Sequence, residues 1–527
     1  MIKRQRRALA GLAASVLVWA ASCAPSIRPP AAKPPAPIDW PARLAQADDL
    51  VRAGHLVALR EAGRTYGEAL AALPGRPDIA ERSVRASIAI GLRERQMGIL
   101  PAKPAVDPLS LIAREHSLAR YASWLELLNG LPCKIKGSPG IDEIGGRSLD
   151  AHFDWINARV AAIDGELADA EAADDLAATL RLALRQEFSF TFKDKFEVQT
   201  LLDAHPGSRL VAFQAAVAPG IKTPVLESLL ALEPGFTEAH YFLGEAALLV
   251  GSLLTAERHD LTAAEKFPES LSVLISLAKV AFQTEETEEC LAWNEKALAL
   301  LPTYRDALLG QGLCLGGLGR HGEALAVLGR LLELGTYYLG EGHFWTAWNL
   351  NELGRLEEAR RSVESAKVFL VGVPDVVTLS GIIAYKQGRL DDAERDLRQA
   401  LDLDPAASDA AYYLGKLYAD RKDWLDSGIY FAGAALAYED KERAIEKRIG
   451  EIEASEMSAE RKGRLVARKR AQIASVQVTK ATCQYNGAAG YHNAGSFERA
   501  LDLARQAAAH PAFAEKAAGL IKIIQGR

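Results

Sequence analysis

Residues 240–268 read HYFLGEAALLVGSLLTAERHDLTAAEKFP, and residues 269–302 read ESLSVLISLAKVAFQTEETEECLAWNEKALALLP. Leu243, Gly244, Ala247, Ala256, Ala263 and Pro268 of the first stretch meet Leu277, Ala278, Ala281, Cys290, Ala297 and Pro302 of the second, each 34 residues on. Apolar residues recur at helical spacing inside each period, and Pro closes it because it cannot continue a helix. A period of this length holds two helices and a turn. Self-similarity at such a period is the mark of a stacked-repeat architecture.

The series runs on in both directions. Leu308, Gly312, Leu315, Ala324 and Leu331 make a third unit. Ala347, Leu350, Ala359 and Ala366 make a fourth, displaced by one residue. Val377, Gly381, Ala384, Ala393, Ala400 and Pro405 make a fifth, and Leu414, Gly415, Tyr418, Ser427, Phe431 and Ala434 a sixth. Tyr491, Ala500 and Ala507 mark a last unit, and Pro234 marks a degenerate one at 204–236. The pattern resembles the tetratricopeptide repeat (TPR) family. That resemblance implies an all-α fold: a superhelical solenoid of antiparallel helix pairs, here with a less regular helical N-terminal region. The small residue of each first helix admits the second helix closely. Gly319-Arg320, Gly354-Arg355 and Gly388-Arg389 fall between the helices, where Gly tolerates the turn. No single hairpin buries its own apolar stripe, so stacking is required.

In the TPR family the first helices line a concave groove. The resemblance places Tyr241, Glu245, Ile275, Lys279, Phe282, Leu309, Leu313, Phe344, Trp348, Asn351, Thr378, Ile382, Tyr385, Lys386, Tyr412 and Lys416 on that surface. Rings supply contact area, while Lys and Asn fix orientation or register of an extended peptide. The alternative for Phe282, Trp348 and Tyr385 is packing within the solenoid.

The first residues read as an address. Lys3, Arg4, Arg6 and Arg7 precede an apolar stretch from Ala8 to Ala21, too short to span a bilayer comfortably. Ala20-Ala21-Ser22-Cys23 resembles the lipobox of bacterial lipoproteins, with Ala20 standing where Leu is usual. The resemblance implies a signal peptide over 1–22, lipidation of Cys23, and an outer-membrane anchor on a chain facing the periplasm. Seven prolines between Ala24 and Pro41 make residues 23–41 an extended spacer. A cleaved, fully secreted chain is the alternative.

The remainder is less patterned. Residues 42–203 read as irregular helices, with Leu50 to Leu73 and Ala80 to Met97 at helical spacing and Leu149 to Leu184 as one or two helices. A Gly- and Pro-rich loop lies near Asn129 to Gly146. The array proper spans 204–438. Residues 439–480 interrupt it with charged helical sequence, read as two long helices projecting from the solenoid, and 481–527 carry the last unit. Arg461, Arg464, Arg468 and Lys469 belong either to a solvated face or to a contact with an acidic partner or anionic lipid. None of Cys133, Cys290, Cys314 and Cys483 lies in a CxxC pair, and their spacing nominates no disulfide. Cys290 and Cys314 read as buried thiols.

With 527 residues, 49% hydrophobic and 25% charged, the chain is long enough for a large core. A net charge of −6 and a pI near 6.0 give no basic footprint for nucleic acid. The sequence contains no GxxxxGK[ST], HExxH or GxSxG. The ten histidines show no metal-ligand spacing, and Asp150, His152 and Asp154 imply no nucleophile. The expectation is a non-enzymatic, cofactor-free and metal-free scaffold of the cell envelope whose partner is an envelope protein or peptide. The alternative is a periplasmic small-ligand binder accompanying a solute transporter. An enzyme housed in 42–203 would need an acid–base pair or metal site around Cys133 to Asp154.

Overall fold

The computed structural model describes residues 38–100, 108–113, 116–130, 149–188, 198–217, 221–335 and 338–526. Cys23, Cys133 and the side chains of Asp150, His152 and Asp154 lie outside the described set, as does the whole signal-like segment. The chain divides into two compact units, Met1–Ala45 and Gln46–Arg527. The first is described only from Ile38, where the first helix is about to begin.

Twenty-four α-helices and no strand occur among the described residues. Those before the array are α1 Trp40–Ala53, α2 Leu56–Ala72, α3 Pro77–Gln96, α4 Ser117–Gly130, α5 Leu149–Ala170, α6 Asp175–Glu187 and α7 Val198–Ala204. The degenerate unit is α8 Arg209–Val217 with α9 Thr223–Leu232. Five helix pairs follow: α10 Ala239–Leu249 and α11 Leu253–Lys266, α12 Leu271–Gln283 and α13 Thr287–Leu300, α14 Arg305–Gly317 and α15 His321–Glu333, α16 Leu339–Glu352 and α17 Leu356–Phe369, α18 Pro374–Lys386 and α19 Leu390–Leu403. The sixth pair is α20 Ser408–Asp420 with α21 Trp424–Ala454. The seventh is α22 Ala459–Asn493 with α23 Phe497–Ala508, and α24 Ala514–Gln525 closes the chain. Leu50 to Leu73 is two helices rather than one, because Gly54 adopts φ +74 between them.

One column of side chains explains the repeat core. Asp260, Asn294, Leu328, Val363, Leu397 and Phe431 stand at equivalent places on the second helices, and all are buried. A Cβ on Gly312 would come within 2.7 Å of Leu328, on Gly381 within 2.6 Å of Leu397, and on Gly415 within 2.7 Å of Phe431. Those glycines exist so that a large side chain from the second helix can fill the contact. The turns repeat as faithfully: Gly251, Glu285, Gly319, Gly354, Gly388, Lys422 and Gly495 all have φ between 62 and 78. Five of the seven are glycine, as a left-handed residue demands.

The N-terminal helices pack on the first repeats. Leu56, Met97, Ile99 and Phe213 share one buried cluster with Phe236, Tyr241, Phe242, Phe267 and Val273. Polar contacts cross the same boundary. The Leu56 amide donates to Glu238 Oε1 at 2.8 Å, Ser270 Oγ donates to the Met97 carbonyl at 2.5 Å, and Arg60 joins Glu94 and Glu269, each at 2.8 Å. The irregular region therefore covers the open apolar end that a solenoid would otherwise expose.

Candidate functional site: the layer of first helices

Successive first helices lie side by side, α10 on α12, α12 on α14, α14 on α16, α16 on α18 and α18 on α20. This layer carries the residues that the repeat pattern assigns to a groove. Tyr241, Ile275 and Asn351 are buried in it. Lys279, Phe282 and Lys386 are exposed, and Glu245, Leu309, Leu313, Phe344, Trp348, Thr378, Ile382, Tyr385, Tyr412 and Lys416 are part-exposed. Phe344 and Trp348 pack against the core around Ala347 and are still part-exposed.

Three neighbourhoods form along the layer. At the second and third repeats, Ile275, Lys279, Phe282, Leu309, Leu313 and Tyr338 surround a hollow of about 240 Å³. Asp306 stands at its edge and accepts a hydrogen bond from the Tyr338 hydroxyl at 2.6 Å. In the middle, Phe344, Trp345, Trp348 and His321 meet edge to face, with ring centroids 5.2–5.8 Å apart. Such arrangements stabilise beyond simple burial. Toward the sixth repeat, Lys416 Nζ lies 5.0, 5.7 and 5.2 Å from the rings of Tyr385, Tyr412 and Tyr413. The Tyr385 hydroxyl donates to Asp420 at 2.7 Å, and burial together with that carboxylate raises its pKa. Lys386 donates to Asn351 Oδ1 at 3.0 Å.

Trp345, Tyr413, Tyr338, Asp306 and His321 were not singled out by the repeat pattern. Trp345 and Tyr413 adjoin assigned positions and were legible as neighbours. Tyr338 comes from a left-handed turn at φ 60, which periodicity does not address.

Two expectations need correction. Cys290 and Cys314 are not free thiols: they form a disulfide between α13 and α14, with Cα atoms 6.2 Å apart, inside the usual range. Cys483 is a free, buried cysteine. The two long helices do not stand free either, because their tip docks on the first two repeats. Arg461 donates to Glu257 at 2.7 Å and to Glu286, and Lys469 pairs with Glu285 at 2.8 Å. The acidic partner open to the basic run is thus in the same chain.

Sequence spacing also hid a histidine pair. His240 and His259 place their Nδ1 atoms 2.9 Å apart with ring centroids 5.2 Å apart. Rings aligned nitrogen to nitrogen share one hydrogen bond; chelation would aim both lone pairs at a point off that line. Burial lowers both pKa values, that of His259 to about 4. Glu257, Glu286 and Glu289 gather as an acidic group, into which Arg461 points its guanidinium. Among the described residues no helix is long and apolar enough to cross a membrane.

Residues 375–406 match the tetratricopeptide repeat family. These residues are α18, α19 and the turn after them, the fifth pair of the series. No curated protein matches the chain. Among solved structures the chain is similar to YrrB, described as a TPR protein with an unusual peptide-binding site, at 22% identity over 34% of this chain and 91% of that one, with a TM-score of 0.29. It is similar to PilF of Pseudomonas aeruginosa at 18% identity over 37% and 89%, with a TM-score of 0.34. It is similar also to PilW, described as a type IV pilus biogenesis factor, at 14% identity over 37% and 90%, with a TM-score of 0.35.

Proposed function

We propose that the protein is a non-catalytic scaffold of the bacterial cell envelope that takes an extended segment of another envelope protein along its concave face. The chain is held at the outer membrane by a lipid on Cys23 and faces the periplasm. One observation carries the groove: a single layer of first helices leaves Lys279, Phe282, Leu313, Phe344, Trp348, Tyr385, Tyr412 and Lys416 accessible in series. Rings interleaved with lysines suit a peptide that carries apolar side chains and carboxylates.

The deciding experiment is cross-linked co-purification from native envelopes, comparing wild type with a Phe344→Ala/Trp348→Ala variant of retained helicity. Loss of a partner protein in the variant alone supports the groove; partners retained unchanged refute it. The anchor has its own test. Cys23→Ser should move the protein from the membrane to the soluble fraction, and unchanged detergent partitioning counts against lipidation.

A small-ligand function has one observation in its favour, the hollow at Ile275, Phe282, Leu309 and Leu313. Its apolar walls with Lys279 and Asp306 at the edge suit a compact molecule with an apolar body and a polar end. A ligand in the native-purified protein that Leu313→Trp displaces would favour this second reading.

A further inference from the structure

The longest helices among the described residues, α21 and α22, extend the sixth and seventh repeats by a hairpin whose tip is Ser455–Ser458. At 31 and 35 residues they are roughly 46 and 52 Å long at 1.5 Å per residue. The tip reaches residues 175 and 204 positions earlier in the chain. It thereby joins the sixth and seventh repeats to the first and second and bypasses the three between.

Ion pairs cross the contact at its centre. Arg461 spans Glu257 and Glu286, Arg468 donates to the Glu285 carbonyl and pairs with Glu288 at 3.3 Å, and Lys469 meets the Glu285 carboxylate. The apolar cluster at the tip is Ile452, Leu465 and Val466 with Ile449 and Met457, all from the hairpin itself. Beside the contact lies a cleft of about 920 Å³ whose walls carry Glu257, Arg258 and Arg448 together with Leu254, Leu261 and Met457. Such an interface differs from the helix–helix contacts of the array, where no salt bridge among the described residues joins repeats so far apart in the chain.

The receiving turn is itself unusual. Glu285 holds φ 62 where five of the seven equivalent turns have glycine. A side chain in that conformation is disfavoured, and its retention asks for a role. Here the role is visible: Glu285 supplies both a carboxylate to Lys469 and a carbonyl to Arg468.

We propose that the α21–α22 hairpin is a releasable strap that closes the array on itself, with Arg461 between Glu257 and Glu286 as its catch. The partly buried catch keeps the strap closed at low ionic strength. A polycation that competes for Glu257 and Glu286 frees it, because these paired carboxylates are its catch; salt screens the exposed Arg468–Glu288 pair and acts more weakly on the catch. Release uncouples the first two repeats from the last two and lets the superhelix change curvature. Any consequence for a partner in the groove rests on the function proposed above; the strap does not, and its test reads the strap alone.

The test uses the full chain with spin labels on non-natural residues at positions 265 and 456, both exposed. Wild type at low salt should give one short separation. At about 1 M salt, where the screening length is roughly 3 Å, a minor share of a longer separation should appear. In Arg461→Glu its share should rise on the order of tenfold or more at low salt. Adding Glu257→Arg and Glu286→Arg to that variant should restore the short separation. A short separation unchanged in Arg461→Glu overturns the strap. If Arg461→Glu fails to fold, Arg461→Gln, which removes the charge and keeps most of the side-chain length, takes its place, and an unchanged short separation there overturns the strap.

Discussion

Replacing Asp260 by Asn should make the protein more stable at neutral pH, and by an amount that depends on pH. Asp260 is fully buried on α11, opposite Gly244. Oδ2 accepts from Ser276 Oγ at 2.5 Å, while Oδ1 has no hydrogen-bond partner among the described residues. Burial raises its pKa to about 8, a shift that the Ser276 hydrogen bond opposes. An acid with a raised folded pKa stabilises fully below its unfolded value near 3.8 and loses that contribution as pH climbs to about 8. Three units of that window are crossed by pH 7, worth about 4 kcal/mol at 1.36 per unit. Asn escapes this penalty and still offers an amide oxygen to Ser276 Oγ; at most one neutral hydrogen bond of about 1 kcal/mol is lost, so the net gain at pH 7 is about 3 kcal/mol. The next repeat already uses this solution: Asn294 occupies the equivalent place and donates to the Cys290 carbonyl at 2.8 Å. Urea unfolding followed by far-UV circular dichroism, with wild type and variant side by side at pH 4, 6 and 8, reads the difference. It should be near zero at pH 4 and grow with pH. A difference that does not change with pH would show that Asp260 is already ionised in the folded chain and refute the reasoning.

Glycines separate packing from propensity. Gly381→Leu should destabilise by about 3 kcal/mol or more, since even a Cβ would press on Leu397; Gly329→Ala, with open space around it in α15, should instead stabilise by about 1 kcal/mol. Thermal melts of both variants would show opposite signs, and equal signs would mean that the repeat phase is misassigned. Reduction of Cys290–Cys314 removes a cross-link over a sequence separation of 24 and should cost about 3 kcal/mol. Melting with and without reductant measures it, against a Cys290→Ala/Cys314→Ala control that should not respond. The catch of the strap predicts that Arg461→Ala alone lowers melting more at low salt than at high salt; salt-independent loss would point to packing instead.

What could be read from the chain and what could not divide along physical lines. The 34-residue recurrence of Gly244, Ala278 and Gly312 exposed the helix pairs because a close helix contact permits only small residues at that place. The same register, followed one column further, gives Asp260, Asn294 and Leu328, so the buried acid was legible as a polar intruder in a leucine position. The disulfide was not, because Cys290 lies on a second helix and Cys314 on a first helix, in different repeats. No periodicity relates such positions. Residues 42–203 gave helices without a period, as fits a region that covers one end of the solenoid rather than adding a unit to it.

The strap was hidden for a further reason. Lys, Arg and Glu along 439–480 have the composition of a solvated face, and composition is all that a local pattern reports. The partners of Arg461, Arg468 and Lys469 are more than 170 residues away, on α11 and around the turn before α13, where the acidic residues look equally solvated. Only one local clue existed: a Glu where the turn of neighbouring units has Gly. A repeat array makes such a clue usable, since each unit predicts its neighbour's residue and a departure must be explained by something outside the unit. At Glu285 that something is Lys469 and Arg468, and at Asp260 it is Ser276 of the following repeat. Departures from the period, more than the period itself, therefore mark where this solenoid does something its repeats do not require.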